Sequence, residues 1–268
     1  MTASCAVAIT TDQLHRYKEH RQTEDAAAAT IRNELTALAR AFRVAVERRL
    51  LTSNSVPSFP SIVVRNARDV FYTDAEVQAV RDELPHELRN LWTVAVWTGW
   101  RRNELFALRW SQVDFEAGLL RLNVNTTKNN EGREIPFAAV PELEAALKAQ
   151  REYTREVERK TGQIVQHVFH RNGEPIRRMD IARQNACRKA GAIGPDGRPK
   201  TLHDLRRTAI RMHTRAGVPR HVSMKISGHQ TESMWRRYSI VETDDIRDGF
   251  GKVVAFRSQH PAKQAQAV

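Results

Sequence analysis

Cysteine is scarce: the 268-residue chain holds two, Cys5 and Cys187, far apart and without CxxC spacing. That argues against a disulfide framework and a cysteine-ligated zinc site, and it fits a reduced, cytoplasmic setting. Long apolar runs are missing too. Ala6-Val7-Ala8-Ile9 is far too short to span a bilayer, and no basic segment precedes it to make a signal peptide. No membrane attachment is expected. Internal repeats and long low-complexity tracts are also absent. Acidic charge is in deficit, with 31 Asp and Glu against 43 Lys and Arg, a formal net charge of +12. Such a balance favours a polyanionic partner, nucleic acid first, although a basic surface on an ordinary soluble protein would also account for it. The length allows one large domain or two modest ones.

What is present reads as mainly helical. A short helix is expected near 11–22 and a long one over 26–51, where Ile31, Leu35, Leu38, Phe42, Val46 and Leu50 recur at the three-four spacing of a buried stripe. Arg32, Arg40, Arg43, Arg48 and Arg49 are interleaved with that stripe, as a solvated face or as a phosphate-facing one. TSNSVPSFPSIVV, residues 52–64, reads as a linker. A second unit begins near Phe71. Thr73 and Glu76 form a capping box, and a further helix over roughly 86–97 is broken by Gly99. LLRLNVN at 119–125 and REIPF after the turn-like NNEG form a β-hairpin. Pro141 opens a charged helix to about Lys160, IVQHVF is a short strand ending at the HRNG turn, and the pattern is helical again from Arg177, interrupted by GPDGRP. The expected class is α+β: mainly α with a small antiparallel sheet.

Several residue types in the second unit bear on chemistry. In TGWRRNEL, residues 98–105, Arg101 follows a glycine turn at a helix start, and Glu104 stands one turn on, able to brace it. The hairpin tip carries Lys128. TLHDLRRT, residues 201–208, places His203 and Arg206 on one helix face. Then come His229 in SGH and, nine residues later, Tyr238 in GHQTESMWRRY. Each has an ordinary reading taken singly: a surface ion pair, a solvated turn lysine, a chance HxxR, and a tyrosine packed with its hydroxyl wet.

Together and in this order they resemble the tyrosine site-specific recombinases, the phage-integrase family. The pattern Arg101, Lys128, His203, Arg206, His229, Tyr238 is complete, and LRWSQVD at 108–114 and REIPF fit around it. The resemblance covers about residues 25–250, most specifically from TLHDLRRT to Tyr238. It implies a helical core-binding domain over 1–56, a linker over 57–70, a mixed but mostly helical catalytic domain over 71–250 and a tail over 251–268. Against the family's four-helix core-binding domain the first unit is short, lacking the first helix on this reading.

The resemblance also implies roles. Tyr238 attacks the scissile phosphorus, forming a 3′-phosphotyrosyl link and releasing a 5′-hydroxyl; a phenol suits both attack and later departure. Arg101 and Arg206 neutralise the charge on the non-bridging oxygens, so no metal and no other cofactor is expected. Lys128 protonates the leaving 5′-oxygen, His203 serves the Tyr238 hydroxyl, and His229 hydrogen-bonds the phosphate. The implied partners are double-stranded DNA, a homotetramer on two DNA sites and an accessory directionality protein. A tail helix over about 243–256, with Ile246, Phe250, Val253 and Val254 on one face, could anchor in a neighbouring protomer or on its own domain. Two other readings are a DNA-binding derivative with impaired catalysis and a type IB topoisomerase, whose spacing agrees less well.

Overall fold

The computed structural model describes residues 8–64, 70–122, 132–236 and 243–259. Two compact units divide at Arg68 and Asp69. In the first, α1 (Thr11–Thr23) and α2 (Ala28–Glu47) pair. Thr10 and Gln13 close a capping box on α1. Leu14 of α1 is buried with Ile31 and Leu35 of α2, and Phe59 and Ile62, from the stretch read as a linker, pack on this cluster. Phe42 meets Phe59 edge to face with ring centroids 6.0 Å apart. Glu34 ties the helices from outside, accepting from the Tyr17 hydroxyl at 2.9 Å and from Arg21 Nη2 at 2.9 Å.

The predicted stripe holds at Ile31, Leu35 and Phe42 but not at Leu50, which is 73% exposed. The reason is local. The helix stops at Glu47 rather than 51, and Arg49 takes a left-handed conformation with φ +57°, so the chain turns before Leu50 can continue the face. The five interleaved arginines of this region are all exposed.

The second unit is built on α3 (Asp74–Glu83), α4 (His86–Thr98) and the short α5 (Arg102–Phe106), followed by a three-stranded antiparallel sheet. Its strands are β1 (Val113–Asp114), β2 (Leu119–Leu122) and β3 (Arg133–Pro136), with Leu122 opposite Arg133. The hairpin is where the sequence puts it; its tip, 123–131, lies outside the described residues. Next come α6 (Pro141–Thr161), the two-residue strands β4 (His170–Arg171) and β5 (Glu174–Pro175), and α7 (Asp180–Lys189), α8 (Leu202–Arg215), α9 (Arg220–Ser227), α10 (Glu232–Arg236) and α11 (Thr243–Gln259). The fold is mainly α with a small antiparallel sheet.

The strand expected over IVQHVF is displaced. That segment makes one isolated bridge, His167 with Arg109, and the ladder forms instead at His170–Arg171. Asn172 and Gly173 take φ of +50° and +94°, the twist that a tight antiparallel hairpin needs, so residues read as a turn carry the pairing.

The core of this unit runs along α4. Leu88, Leu91, Trp92, Val94 and Ala95 are buried with Leu105, Leu120, Phe137, Leu147, Phe169 and Leu205. Trp92 donates its indole N–H to Val77 O at 3.1 Å and meets Tyr72 edge to face. Lys200 fastens the start of α8 to that of α3: its ammonium donates to both Glu76 carboxylate oxygens at 2.6 Å and to Phe71 O at 2.8 Å. On α11, Ile246, Phe250, Val253 and Val254 are 52–68% exposed. Among the described residues no helix is long and apolar enough to cross a membrane.

The contrast within the N-terminal stripe is measurable. Phe42→Ala should destabilise the first unit by roughly 3–5 kcal/mol. Leu50→Ala should stay within about 0.5 kcal/mol of the parent. Urea unfolding followed by circular dichroism checks both.

Candidate active site

The site grows from two glycine-terminated helices. Gly99 ends α4 and Gly228 ends α9, both left-handed, with φ of +60° and +72°. A glycine takes this conformation without the steric cost of a side chain. A Cβ at Gly99 would also stand 3.1 Å from that of Ala209 on α8, so the turn lies hard against α8. Both turns therefore present carbonyls to side chains arriving from α8 and α5.

Helix α8 starts at a capping box that the sequence hides inside TLHDLRRT. Thr201 Oγ1 accepts from the Asp204 N–H at 3.1 Å, and the Asp204 carboxylate accepts from the Thr201 N–H at 2.7 Å. This fixes where the helix begins and thus which way Arg206 points. Arg206 is buried. Its Nη1 donates to Gly99 O and, at 2.8 Å, to Ser227 O, while Nη2 approaches His229 Nε2 at 2.8 Å. One guanidinium thus joins the α4–α5 turn to the α9 terminus.

His229 is buried and neutral. Its pKa is depressed from 6.5 to about 3, first by burial and then by the charges of Arg206, Arg101, His203 and Arg133. Hydrogen-bond logic assigns its tautomer. Ser227 Oγ gives its proton to Ser223 O at 2.7 Å, so it accepts from His229 Nδ1–H, also at 2.7 Å. Nε2 is then the unprotonated nitrogen, and Arg206 Nη2 stands 2.8 Å from it and 3.2 Å from Nδ1. In this arrangement the imidazole orients a guanidinium.

Arg101 lies at the start of α5, partly exposed. Nη1 donates to Gly228 O at 3.0 Å and to Glu104 Oε1 at 3.4 Å, and its backbone N–H donates to Glu104 Oε2 at 3.0 Å. The brace expected of Glu104 is present, and Glu104 is buried. His203, one turn before Arg206, is exposed. Its pKa is also lowered, by desolvation and then by Arg207, Arg206 and Arg101, with Asp204 opposing.

The structure therefore brings Arg101, His203, Arg206 and His229 into one electrostatic neighbourhood around the 227–229 turn. Lys128 and Tyr238 lie outside the described residues. His213 is structural, bonded to Ser223 Oγ at 3.1 Å and Trp97 O at 3.2 Å; His221 is exposed. Trp100 is core and Trp110 half-buried. Sequence reasoning missed Arg133, buried beside Glu104, and Ser227, which sets the His229 tautomer. The signal for Arg133 was its place at the opening of REIPF, directly after the hairpin tip.

Two guanidiniums converge on one turn, one buried and one partly open, and planar forks of this kind suit oxyanions. The chain belongs to the phage integrase family, whose profile matches residues 72–244. It is 24% identical over 219 residues to the integrase of Escherichia phage HK022, a match covering 80% of this chain and 58% of that protein. The prophage integrase IntR of Escherichia coli (strain K12) is 25% identical over 246 residues, covering 82% and 59%. The chain thus spans less than two-thirds of the length of these relatives. Its fold is similar to that of a lambda integrase dimer bound to a COC′ core site, with TM-score 0.73, 22% identity and coverage of 90% of this chain and 83% of that one.

The depressed pKa of His229 has a defined consequence. Between about 3 and 6.5 the unfolded chain binds a proton that the folded chain does not, so stability rises with pH through that window. The contribution is complete above 6.5 and is lost as pH falls toward 3. The His229 ring resonances should stay those of neutral imidazole from about pH 8 to about pH 5, and His229→Gln should flatten the stability slope below 6.5. A ring that titrates near its ordinary value would contradict the buried, neutral state described above.

Proposed function

We propose that this chain is a site-specific DNA recombinase that breaks and rejoins strands through a 3′-phosphotyrosyl intermediate. The observation that carries the reading is the convergence of Arg101, Arg206 and His229 at the 227–229 turn, within a chain of the phage integrase family. Arg101 and Arg206 would bind the scissile phosphate and oppose the charge that builds on its non-bridging oxygens. The Tyr238 oxygen would attack phosphorus as the bond to the 5′-oxygen breaks, and Lys128 would give that oxygen its proton. Neutral His203, at the site's rim, would take the phenol proton. Reversal by a 5′-hydroxyl from a partner strand conserves the phosphoester energy, so nucleotide hydrolysis is not needed.

Double-stranded DNA is the partner that the +12 charge favours. A tetramer on two DNA sites, an accessory directionality protein and a cytoplasmic setting belong to the same proposal. The exposed apolar residues of α11 support a subunit contact in that assembly.

The test uses DNA from the flanks of the gene, incubated without nucleotide and quenched with detergent. The wild type should leave a covalent protein–DNA adduct, and Tyr238→Phe none. Arg206→Ala should slow adduct formation by roughly a hundred- to a thousand-fold, as removal of one oxyanion donor does. Binding that persists without any adduct would favour the impaired DNA-binding derivative. Relaxation of plasmid lacking a special site would favour the topoisomerase.

A further inference from the structure

Arg133 has no part in the mechanism above, yet it is buried among the residues that hold the site. It opens β3 at the base of the hairpin. Its Nη2 lies 2.8 Å from Glu104 Oε1, and both side chains are only 6% exposed. Its Nη1 donates at 3.4 Å to Ile226 O, the carbonyl that also receives the Trp100 indole N–H at 2.9 Å. Its guanidinium carbon stands 5.7 Å from the centre of the Trp100 ring. Gly228 makes room for it: a Cβ there would come within 2.6 Å of the Arg133 guanidinium carbon.

The distances divide the Glu104 carboxylate unequally. Oε1 sits 2.8 Å from Arg133 but 3.4 Å from Arg101 Nη1. A buried carboxylate needs a counterion, and Arg133 is the nearer one. Without it, Glu104 would draw in the Arg101 guanidinium, and an arginine tightly paired to a carboxylate has less charge to offer a phosphate.

We infer that Arg133 is a positioning residue: it neutralises Glu104 so that the Arg101 guanidinium stays available to a phosphate. The inference rests on the phosphate-binding role proposed for Arg101. Arg133 is too buried to meet DNA itself, so its effect belongs on the rate of strand cleavage and not on DNA affinity.

The experiment is a rescue. Arg133→Met should slow adduct formation at saturating DNA by roughly a hundred-fold, the scale of a displaced catalytic group, with DNA affinity within a few-fold of wild type. Arg133→Met combined with Glu104→Gln removes the carboxylate that captures Arg101, and should recover at least ten-fold over Arg133→Met alone. Arg133→Lys keeps the counterion and should stay within about ten-fold of wild type. On DNA carrying a neutral methylphosphonate at the scissile position, the Arg133→Met defect should shrink toward none, since there is less charge for Arg101 to oppose. A merely structural Arg133 would make the double variant worse than the single and leave the defect equal on both DNAs; either result overturns the inference. If Arg133→Met does not fold, the double variant and Arg133→Lys carry the test, and loss of the fold in both also overturns it. Should wild type form no adduct, the proposed function fails. Affinity for inorganic phosphate, followed by NMR, then reads the inference without cleavage: weakened at least ten-fold in Arg133→Met and restored in the double variant, or the inference falls.

Discussion

The Arg206 guanidinium joins parts of the second unit that no backbone ladder connects. Gly99 O, at the end of α4, and Ser227 O, at the end of α9, share one donor nitrogen, and the other nitrogen of the fork meets His229. Carbonyls at helix ends are left without intrahelical partners. Here two of them are satisfied by one buried cation, and the turns that bear Arg101 and His229 are fixed by the same contact. The position of that cation is itself set upstream, by the Thr201–Asp204 box that starts α8 and by Lys200, which anchors the preceding residue to Glu76. Packing of Gly99 against Ala209 closes the approach.

Neutrality of His229 follows from the same arrangement. A protonated ring would place another positive charge beside Arg206. Burial and the surrounding arginines hold the ring neutral, and Ser227, its own proton committed to Ser223 O, decides which nitrogen carries the hydrogen. Two serines one helical turn apart on α9 thereby reach the electrostatics of the site without touching a ligand.

Much of this could be read from the sequence because local rules generate it. A glycine ending a helix, Thr73 with Glu76, Pro141 at a helix start and the three-residue step from His203 to Arg206 each follow from the backbone within one or two turns. The contacts that could not be read are those settled by distant segments. Nothing near Arg133 in the chain says that Glu104 and the Ile226 carbonyl will surround it. IVQHVF has a strand's composition, but its neighbour offers only one bridge, and the left-handed pair Asn172–Gly173 draws the ladder onto the residues beyond. Leu50 fits the period of α2 and is exposed all the same, because Arg49 breaks the helix first.

The division of labour between the buried cations follows from their shapes. Lys200 offers a compact ammonium and spends it on the two oxygens of one carboxylate and one carbonyl, which suits a fastening with no ligand in view. Arg206 must reach two carbonyls and an imidazole that lie in different directions, and only a planar fork does that. Arg133 needs the same fork to meet Glu104 on one nitrogen and Ile226 O on another while its flat face approaches Trp100. At Arg206 arginine is therefore a geometric requirement before it is a matter of charge, whereas at Arg133 a lysine would still supply the charge that Glu104 needs. Arg101 differs from both in being partly open: its side-chain exposure is 27%, against 6% for Arg133. Among the described cations bonded directly to the Gly228 turn or to Glu104, it is the most open to an incoming oxyanion, while Arg133 is buried against Glu104 and Ile226 O.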